Sequence, residues 1–395
     1  MKLTYWSFLI FIILKQFYIF ESGGVQPGDL FFLLSLFLFL FTKRNKEIKI
    51  DNVDRLLFYF IISIILINGF YAAYHQRIDF VLSTLHYIFN FLVVILFRQY
   101  AKDMSFLVML FKACKLNLWI QLFVFSLGWG EYYAGVRYMG TFNDPNQMSF
   151  FLYITLMIMY LISEIINKKI SLIYYSIVTF LIFQTASTGM FIALFIFIFL
   201  LIIFKLRFSI LKKINAKKIL IFNIALIVLI LFVSTTPINI KKFSEDNFLF
   251  QRVEEKMSKI GNGNYATNYN QTNLIEERGI DKLFVYPERL ILGAGQGYYT
   301  RFNLAAHTGE IHSTIPSVLF SYGILPTVLL LLWFIKNVRK VSFVTVLVFT
   351  PLLVESFTLL NQRQPFFWML FILAFIYSKC NDTQQSVYLS DTIHK

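Results

Sequence analysis

Apolar runs organise this chain. A helix that crosses a hydrocarbon layer of roughly 30 Å needs about 20 mainly apolar residues, and runs of nearly that length recur between charged or turn-forming segments. Twelve spans are predicted, at residues 3–20, 29–42, 56–74, 78–97, 113–131, 147–166, 170–186, 189–206, 219–236, 313–335, 341–359 and 364–378. Lys2 precedes the first run in the manner of a signal peptide, but no small-residue cleavage motif follows and Lys15 interrupts the run, so a retained helix is expected. Lys112 and Lys115 sit awkwardly within residues 104–128. An interfacial helix up to about Cys114, followed by a spanning one, would let both lysines reach the lipid phosphates.

One segment breaks the rhythm of short connections, residues 237–312. Leu249, Val253, Met257 and Ile260 recur at helical spacing before the run Gly261-Asn262-Gly263-Asn264, which predicts an amphipathic helix with a glycine exit. A second is predicted to open at Asn273, three residues before Glu276, to place Ile280, Leu283 and Phe284 on one face, and to end before Pro287. Neither is apolar enough to span, so both should lie across the membrane surface or over a cavity. The expectation is one all-α polytopic domain over residues 1–395, with residues 237–312 as an external lid.

Composition agrees: 57% of the 395 residues are hydrophobic, 47 are Phe, and 15% are charged, against roughly 25% charged in soluble chains. Two cysteines, Cys114 in an apolar stretch and Cys380 near the C-terminus, are too few for a disulfide framework. The net charge of +14 would suggest nucleic acid in a soluble protein. Here alternating loops place Lys43, Arg44, Lys46, Lys49 and Arg55 on one side with Arg98, Lys168, Lys169, the cluster from Lys205 to Lys218, Lys336, Arg339 and Lys340, while the short loops of the other side hold Arg77, Arg137 and Arg363. By the positive-inside rule the first side is cytoplasmic, with both termini, and residues 237–312 are external. The charge is thus a topology signal, and no nucleic-acid partner is needed to explain it.

Three external segments could carry chemistry, since ionisable groups at membrane depth are costly and usually face a cavity. Residues 137–147, RYMGTFNDPNQ, join the fifth and sixth spans; Asn143, Asp144 and Pro145 suit a turn and helix cap, with Arg137 just before and Asn146 just after. In residues 277–302, Arg278, Arg289 and Arg301 bracket the glycine turn GAGQG at 293–297. That turn lacks the strand-to-helix context of a dinucleotide fingerprint, but its amides could approach an anion, and arginine forks suit phosphate oxygens. Residues 309–323, GEIHSTIPSVLFSYG, place Glu310 and His312 at the entry to the tenth span. His307-x-x-Glu310-x-His312 is a weak metal pattern; the sharper reading makes His312 an acid/base residue with Glu310 as its orienter or an alternative base. No metal or other cofactor is expected. Asn68, His86 and Asn90 read as interhelical hydrogen-bond glue, and Glu355 as a costly carboxyl that must face the bundle.

Together these segments resemble the O-antigen polymerase and ligase family of bacterial envelope glycosyltransferases. The likeness lies in the order of Arg137-x-x-Gly140-x-Phe142-Asn143-Asp144-Pro145-Asn146, a long external loop, Arg278-Gly279, Pro287-Glu288, GAGQG, Arg301-Phe302, then Glu310-x-His312-Ser313 leading to Ser321-Tyr322-Gly323. The chain departs from family habit at Ser187, followed by Thr188 where many relatives carry Arg, and at Arg289, where relatives often carry an aromatic.

The resemblance implies a GT-C-like bundle in the bacterial inner membrane that polymerises O-antigen or capsule repeat units. The growing glycan would pass from undecaprenyl pyrophosphate to a sugar hydroxyl of the next lipid-linked unit, a step of lipopolysaccharide or capsule biosynthesis. Arg137, Arg278, Arg301 and Arg289 would hold the pyrophosphates, His312 and Glu310 would act as base and orienter, and Asn143, Asp144, Asn146 and Tyr322 would line the substrate cavity. The membrane lipid is a partner, and the external helices could bind a chain-length regulator. The alternatives are a ligase that transfers glycan to a lipid core or protein, and a non-catalytic flippase of lipid-linked oligosaccharide.

Overall fold

A computed structural model describes residues 2–20, 24–42, 50–207, 274–304, 307–338 and 342–393. Helices α1 (Lys2–Leu14) and α2 (Pro27–Thr42) pair as a hairpin, as do α3 (Asp54–His75) and α4 (Asp79–Tyr100). There follow α5 (Met104–Ser126), a two-stranded antiparallel hairpin of β1 (Glu131–Tyr133) and β2 (Arg137–Gly140), α6 (Pro145–Ile165), α7 (Leu172–Thr185) and α8 (Thr188–Arg207). Three single-turn helices, α9 (Leu274–Glu277), α10 (Lys282–Val285) and α11 (Arg289–Leu292), precede α12 (Thr314–Tyr322), α13 (Ile324–Asn337), α14 (Phe343–Glu355) and α15 (Pro365–Ile393).

Four of these, α3 to α6, are long and apolar enough to cross a membrane, and among the described residues the apolar stretches of α1, α2, α7, α8, α13, α14 and α15 are shorter, at 10–17 residues. Helix α6 is the hub. Every residue from Met148 to Ser163 is buried, as expected of a helix apolar on all sides, and it contacts α5, α7, α8, α14 and α15. In contrast, α3 exposes Tyr59, Leu66, Phe70 and Tyr74. Apolar rims around a packed centre suit lipid as solvent, so this is a helical membrane protein.

Local chemistry sets several boundaries. Asp144 caps α6 by accepting from the amides of Asn146 (2.7 Å) and Gln147 (3.2 Å), with Pro145 following it in the first turn. Asp103 caps α5 in the same way through the amide of Ser105 (2.8 Å). Lys15, just past the end of α1, reaches Asp29 of α2 at 2.6 Å. The predicted span at 3–20 therefore ends early, at Leu14, because its lysine turns aside to a carboxylate partner.

Other predictions are corrected. Residues 104–126 form one continuous helix, not an interfacial piece and a span, with Lys115 lying over the rings of Phe111 and Tyr174 at 4.5 and 5.2 Å. The span predicted at 313–335 is broken at Gly323, where φ of +77° ends α12 and the chain restarts as α13. The helix expected to start at Asn273 is instead α9 and α10, divided by a turn at residues 278–281 that includes Gly279 at φ +67°. Residues 131–140 form a hairpin that was not expected, which exposes Tyr132 and Tyr133 at its tip. The predicted span at 219–236 and the amphipathic helix at 249–260 lie outside the described residues.

One end of the bundle is locked by a buried ion pair. Arg98 of α4, 2% exposed, meets the fully buried Asp54 of α3 through Nε (2.5 Å) and Nη2 (2.7 Å). Asn337 of α13 also accepts from Nη2 (2.7 Å), and the Trp333 indole donates to Asp54 (3.0 Å). Among the described residues, Arg137 packs against the end of α7, Arg301 against the end of α3 opposite Asp54, and Glu310 against the turn before α15, away from this lock.

Candidate functional site

Main-chain contacts hold the 293–297 turn in place. The amides of Ala294 and Gly295 donate to the carbonyls of Phe320 (2.9 Å) and Ser321 (2.8 Å), two acceptors freed where α12 stops at Gly323. Glycine is required here by proximity: a Cβ on Gly293 would lie 2.5 Å from the Ser321 oxygen, and one on Gly297 would lie 2.9 Å from the Phe80 nitrogen. The Gln296 amide donates to Asn68 Oδ1 (2.9 Å). The turn thus spends these three amides on the bundle and does not present them to an anion.

Gln296 links that frame to the titratable groups. Its Oε1 accepts from the Tyr322 hydroxyl (2.7 Å), and its Nε2 donates to Glu310 Oε1 (2.5 Å). Ser317 donates to the same oxygen (3.4 Å). The other carboxylate oxygen is bonded by Arg363, from the short 3₁₀ turn Asn361–Arg363 ahead of α15. Glu310 is 8% exposed and its partner 43%, so the carboxylate lies beneath the guanidinium. Lys282, also buried, ties the chain at Gly309 by donating to its carbonyl (2.5 Å); burial lowers the basicity of its amine, opposed by Asp281 and Glu310.

Arg363 faces an open cleft of about 520 Å³, lined also by Arg77, Asp79, Ser83, Tyr298, Tyr299 and Thr308, within the roughly 300–1,000 Å³ of small-ligand sites. Only its Nη2 is engaged, by Glu310 and by Tyr299 at 3.4 Å; among the described residues its Nε and Nη1 have no hydrogen-bond partner.

The predicted arginines are placed differently. Arg137 is 7% exposed and donates to the Thr185 carbonyl (3.0 Å) and Asn146 Oδ1 (2.9 Å), tying β2 to α7 and α6. Arg301 donates to the carbonyls of Ala294 (2.7 Å), Gly297 (3.1 Å) and Tyr298 (3.1 Å), contacts His75 Nε2 (3.2 Å) and lies over the rings of Phe80 and Phe302. It is the clasp of the glycine turn. Arg289 bonds the Tyr71 hydroxyl (3.1 Å), and Arg278 the Thr358 carbonyl (2.9 Å). None of the four lines the cleft.

Nor do the predicted cavity residues. Tyr322 is fully buried, Asp144 is a cap, Asn143 donates to the Phe20 carbonyl (2.8 Å), and Asn146 accepts from Arg137 and from Ser187 (2.9 Å). Asn68 bonds Gln296, Thr84 and Tyr322, as interhelical glue should. The partner of Glu355, hidden in the sequence, is Asn361.

His312 stands beside this network. Its backbone amide donates to the Arg278 carbonyl (2.9 Å), and its ring meets that of His307 edge-on at 5.1 Å. Among the described residues neither ring nitrogen has a hydrogen-bond partner, and Glu310 is held by Arg363 and Gln296 rather than by His312. The surrounding protein lowers the His312 pKa, with His307, Arg278 and Arg363 acting the same way and Glu310 opposing. The lowered pKa favours the neutral imidazole, the form that can accept a proton. Among the described residues no group of three His, Cys, Asp or Glu side chains could hold a metal ion.

Compared with known proteins, the chain matches no protein-family model and no curated sequence. Sequence reasoning passed over Arg363, seen only as one of three cations in short loops, and over Gln296, whose signal was a long polar side chain set among glycines.

Proposed function

We propose that the protein polymerises oligosaccharide repeat units linked to undecaprenyl pyrophosphate, on the outer face of a bacterial cytoplasmic membrane, within a bundle of about twelve spans whose termini are both cytoplasmic. The reading rests on the order of motifs from Arg137 to Gly323 and is carried by one observation: a half-exposed arginine fork over a buried carboxylate, facing a cleft, with His312 two residues along the chain from that carboxylate though not in the cleft lining. That pairing suits a transfer in which an anion leaves and a proton must be taken up.

In the proposed step the bond between the anomeric carbon and the pyrophosphate oxygen breaks, and its electron pair departs with the pyrophosphate. The hydroxyl oxygen of the next unit bonds to that carbon and its proton passes to the His312 imidazole. Arg363 neutralises the leaving group through Nε and Nη1, while Glu310 keeps the fork in place. Arg137, Arg289 and Arg301 shape the surroundings. The energy of the reaction resides in the lipid-linked donor.

The test is the glycan profile of a deletion strain complemented with wild type or Arg363→Ala. Single repeats on the cell surface in the deletion, restored to long chains by wild type and not by the variant at equal protein level, are expected. Long chains stranded on carrier lipid would indicate a ligase, and units trapped on the cytoplasmic side a flippase.

A further inference from the structure

The cleft has two arginines, and they differ in how they are neutralised. The carboxylate partner of Arg363 is buried below it, so the fork alone meets the cleft. Arg77, at the α3–α4 turn, is 53% exposed and donates from Nε (3.3 Å) and Nη2 (3.2 Å) to a single oxygen of Asp79, which is itself 39% exposed. The Arg77 guanidinium also lies over the Tyr298 ring at 5.0 Å. Here a ligand therefore meets donor and acceptor side by side at no net charge, with Ser83 and Thr308 adding hydroxyls to the cleft lining. The floor is bare backbone at Gly297, whose missing side chain lets the turn close against residues 79–80.

Sugar hydroxyls both donate and accept, so a rim offering both functions matches them. A phosphate or carboxylate, which only accepts, would be repelled by Asp79. Without that carboxylate, Arg77 beside the positive N-terminus of α4 would form an anion site. The geometry points to a sugar-binding subsite at the α3–α4 turn, in which Asp79 selects an uncharged sugar residue over an acidic one. This inference rests on the polymerase reading for its ligand class, and it assigns Arg363 to the leaving anion and the Arg77–Asp79 pair to neutral glycan.

The test uses purified full-length protein in nanodiscs and two forms of one oligosaccharide. Repeat units released from the host strain's polysaccharide are either carboxyl-reduced, hence neutral, or oxidised at C6 to uronates, and binding is measured by equilibrium dialysis at low salt. Wild type should hold the neutral form about tenfold more tightly than the acidic one. Asp79→Asn should raise affinity for the acidic form about tenfold, and Arg77→Gln should lower it further. Opposite shifts from neighbouring substitutions cannot arise from a common folding defect. Equal affinities in all three proteins, or binding of neither form by a wild type that still polymerises, would overturn the subsite. Binding as expected by a protein that forms no polymer from lipid-linked units would leave the subsite and remove the polymerase.

Discussion

Arg363 closes over the carboxylate of Glu310, 53 residues earlier in the chain, with the carboxylate on the inside and the fork towards the cleft. In the proposed mechanism the pair separates holding from acting. Arg363→Ala should abolish polymer formation, by at least about 100-fold, as expected when a charge donor to a leaving group is lost. Arg363→Lys keeps the charge without the fork and should retain only a minor part of the activity. Turnover of purified protein on lipid-linked units is the measurement, and near wild-type rates in Arg363→Ala would end its assigned role.

Glu310 and Gln296 should show a different signature. Gln296→Ala leaves Glu310 Oε1 and the Tyr322 hydroxyl each short of a partner, at about 1–3 kcal/mol for each buried group. The variant should melt earlier in detergent, whereas Gln296→Glu should melt earlier still above neutral pH. The sign follows from two carboxylates sharing one proton: their upper pKa is raised in the folded state, so stability is present at low pH and is lost as pH rises through that value. A pH-independent melting temperature in Gln296→Glu would mean the two side chains are not in contact.

If His312 is the base, it should set the acid limb of the pH–rate profile. Desolvation by neighbouring protein, and then His307, lower its pKa, which favours the neutral imidazole towards more acid pH than the ordinary value of about 6.5 would. Activity should be flat through pH 7 and fall only as pH drops through the lowered value. His307→Phe removes a cause of the depression while keeping a ring against His312, and the acid limb should move up. His312→Ala should cost at least about 100-fold across the range. An acid limb unmoved by His307→Phe would assign it to another group.

Arg301 should behave as a structural clasp. A lysine cannot serve the carbonyls of Ala294, Gly297 and Tyr298 together. Arg301→Lys should therefore lower the melting temperature nearly as much as Arg301→Ala, and both losses of activity should track the folded fraction. A normal melting temperature with a raised KM for the lipid-linked donor would restore Arg301 to the pyrophosphate site.

At the far end, Arg98→Ala strands a fully buried Asp54, and the expected cost is about 3–5 kcal/mol. Arg98→Met combined with Asp54→Leu should recover much of that stability, as apolar replacements of buried pairs often do. Activity per folded molecule should be unchanged, because neither residue approaches the cleft. Comparison of chemical denaturation midpoints for the single and double variants checks this.

Much of the bundle was legible because lipid imposes a simple rule. Helices α3, α4, α6, α7 and α8 begin and end within a few residues of their predicted spans. The break at Gly323 was invisible because hydropathy averaged over about 20 residues does not register one glycine in a left-handed conformation. The sequence singled out Glu310, His312 and the GAGQG turn, and these do lie near one another. It could not rank the arginines. A guanidinium committed to main-chain carbonyls, as in Arg301, and one facing a cleft, as in Arg363, have the same letter, and which applies depends on contacts between residues far apart in the chain.

The interruption between α12 and α13 has a consequence for change over time. The carbonyls of Phe320 and Ser321, released from their helix, hold the 293–297 turn through its own amides, so the address of the cleft's floor is written in peptide groups. Side chains on the rim can be exchanged to suit a different ligand while the scaffold beneath them keeps its place.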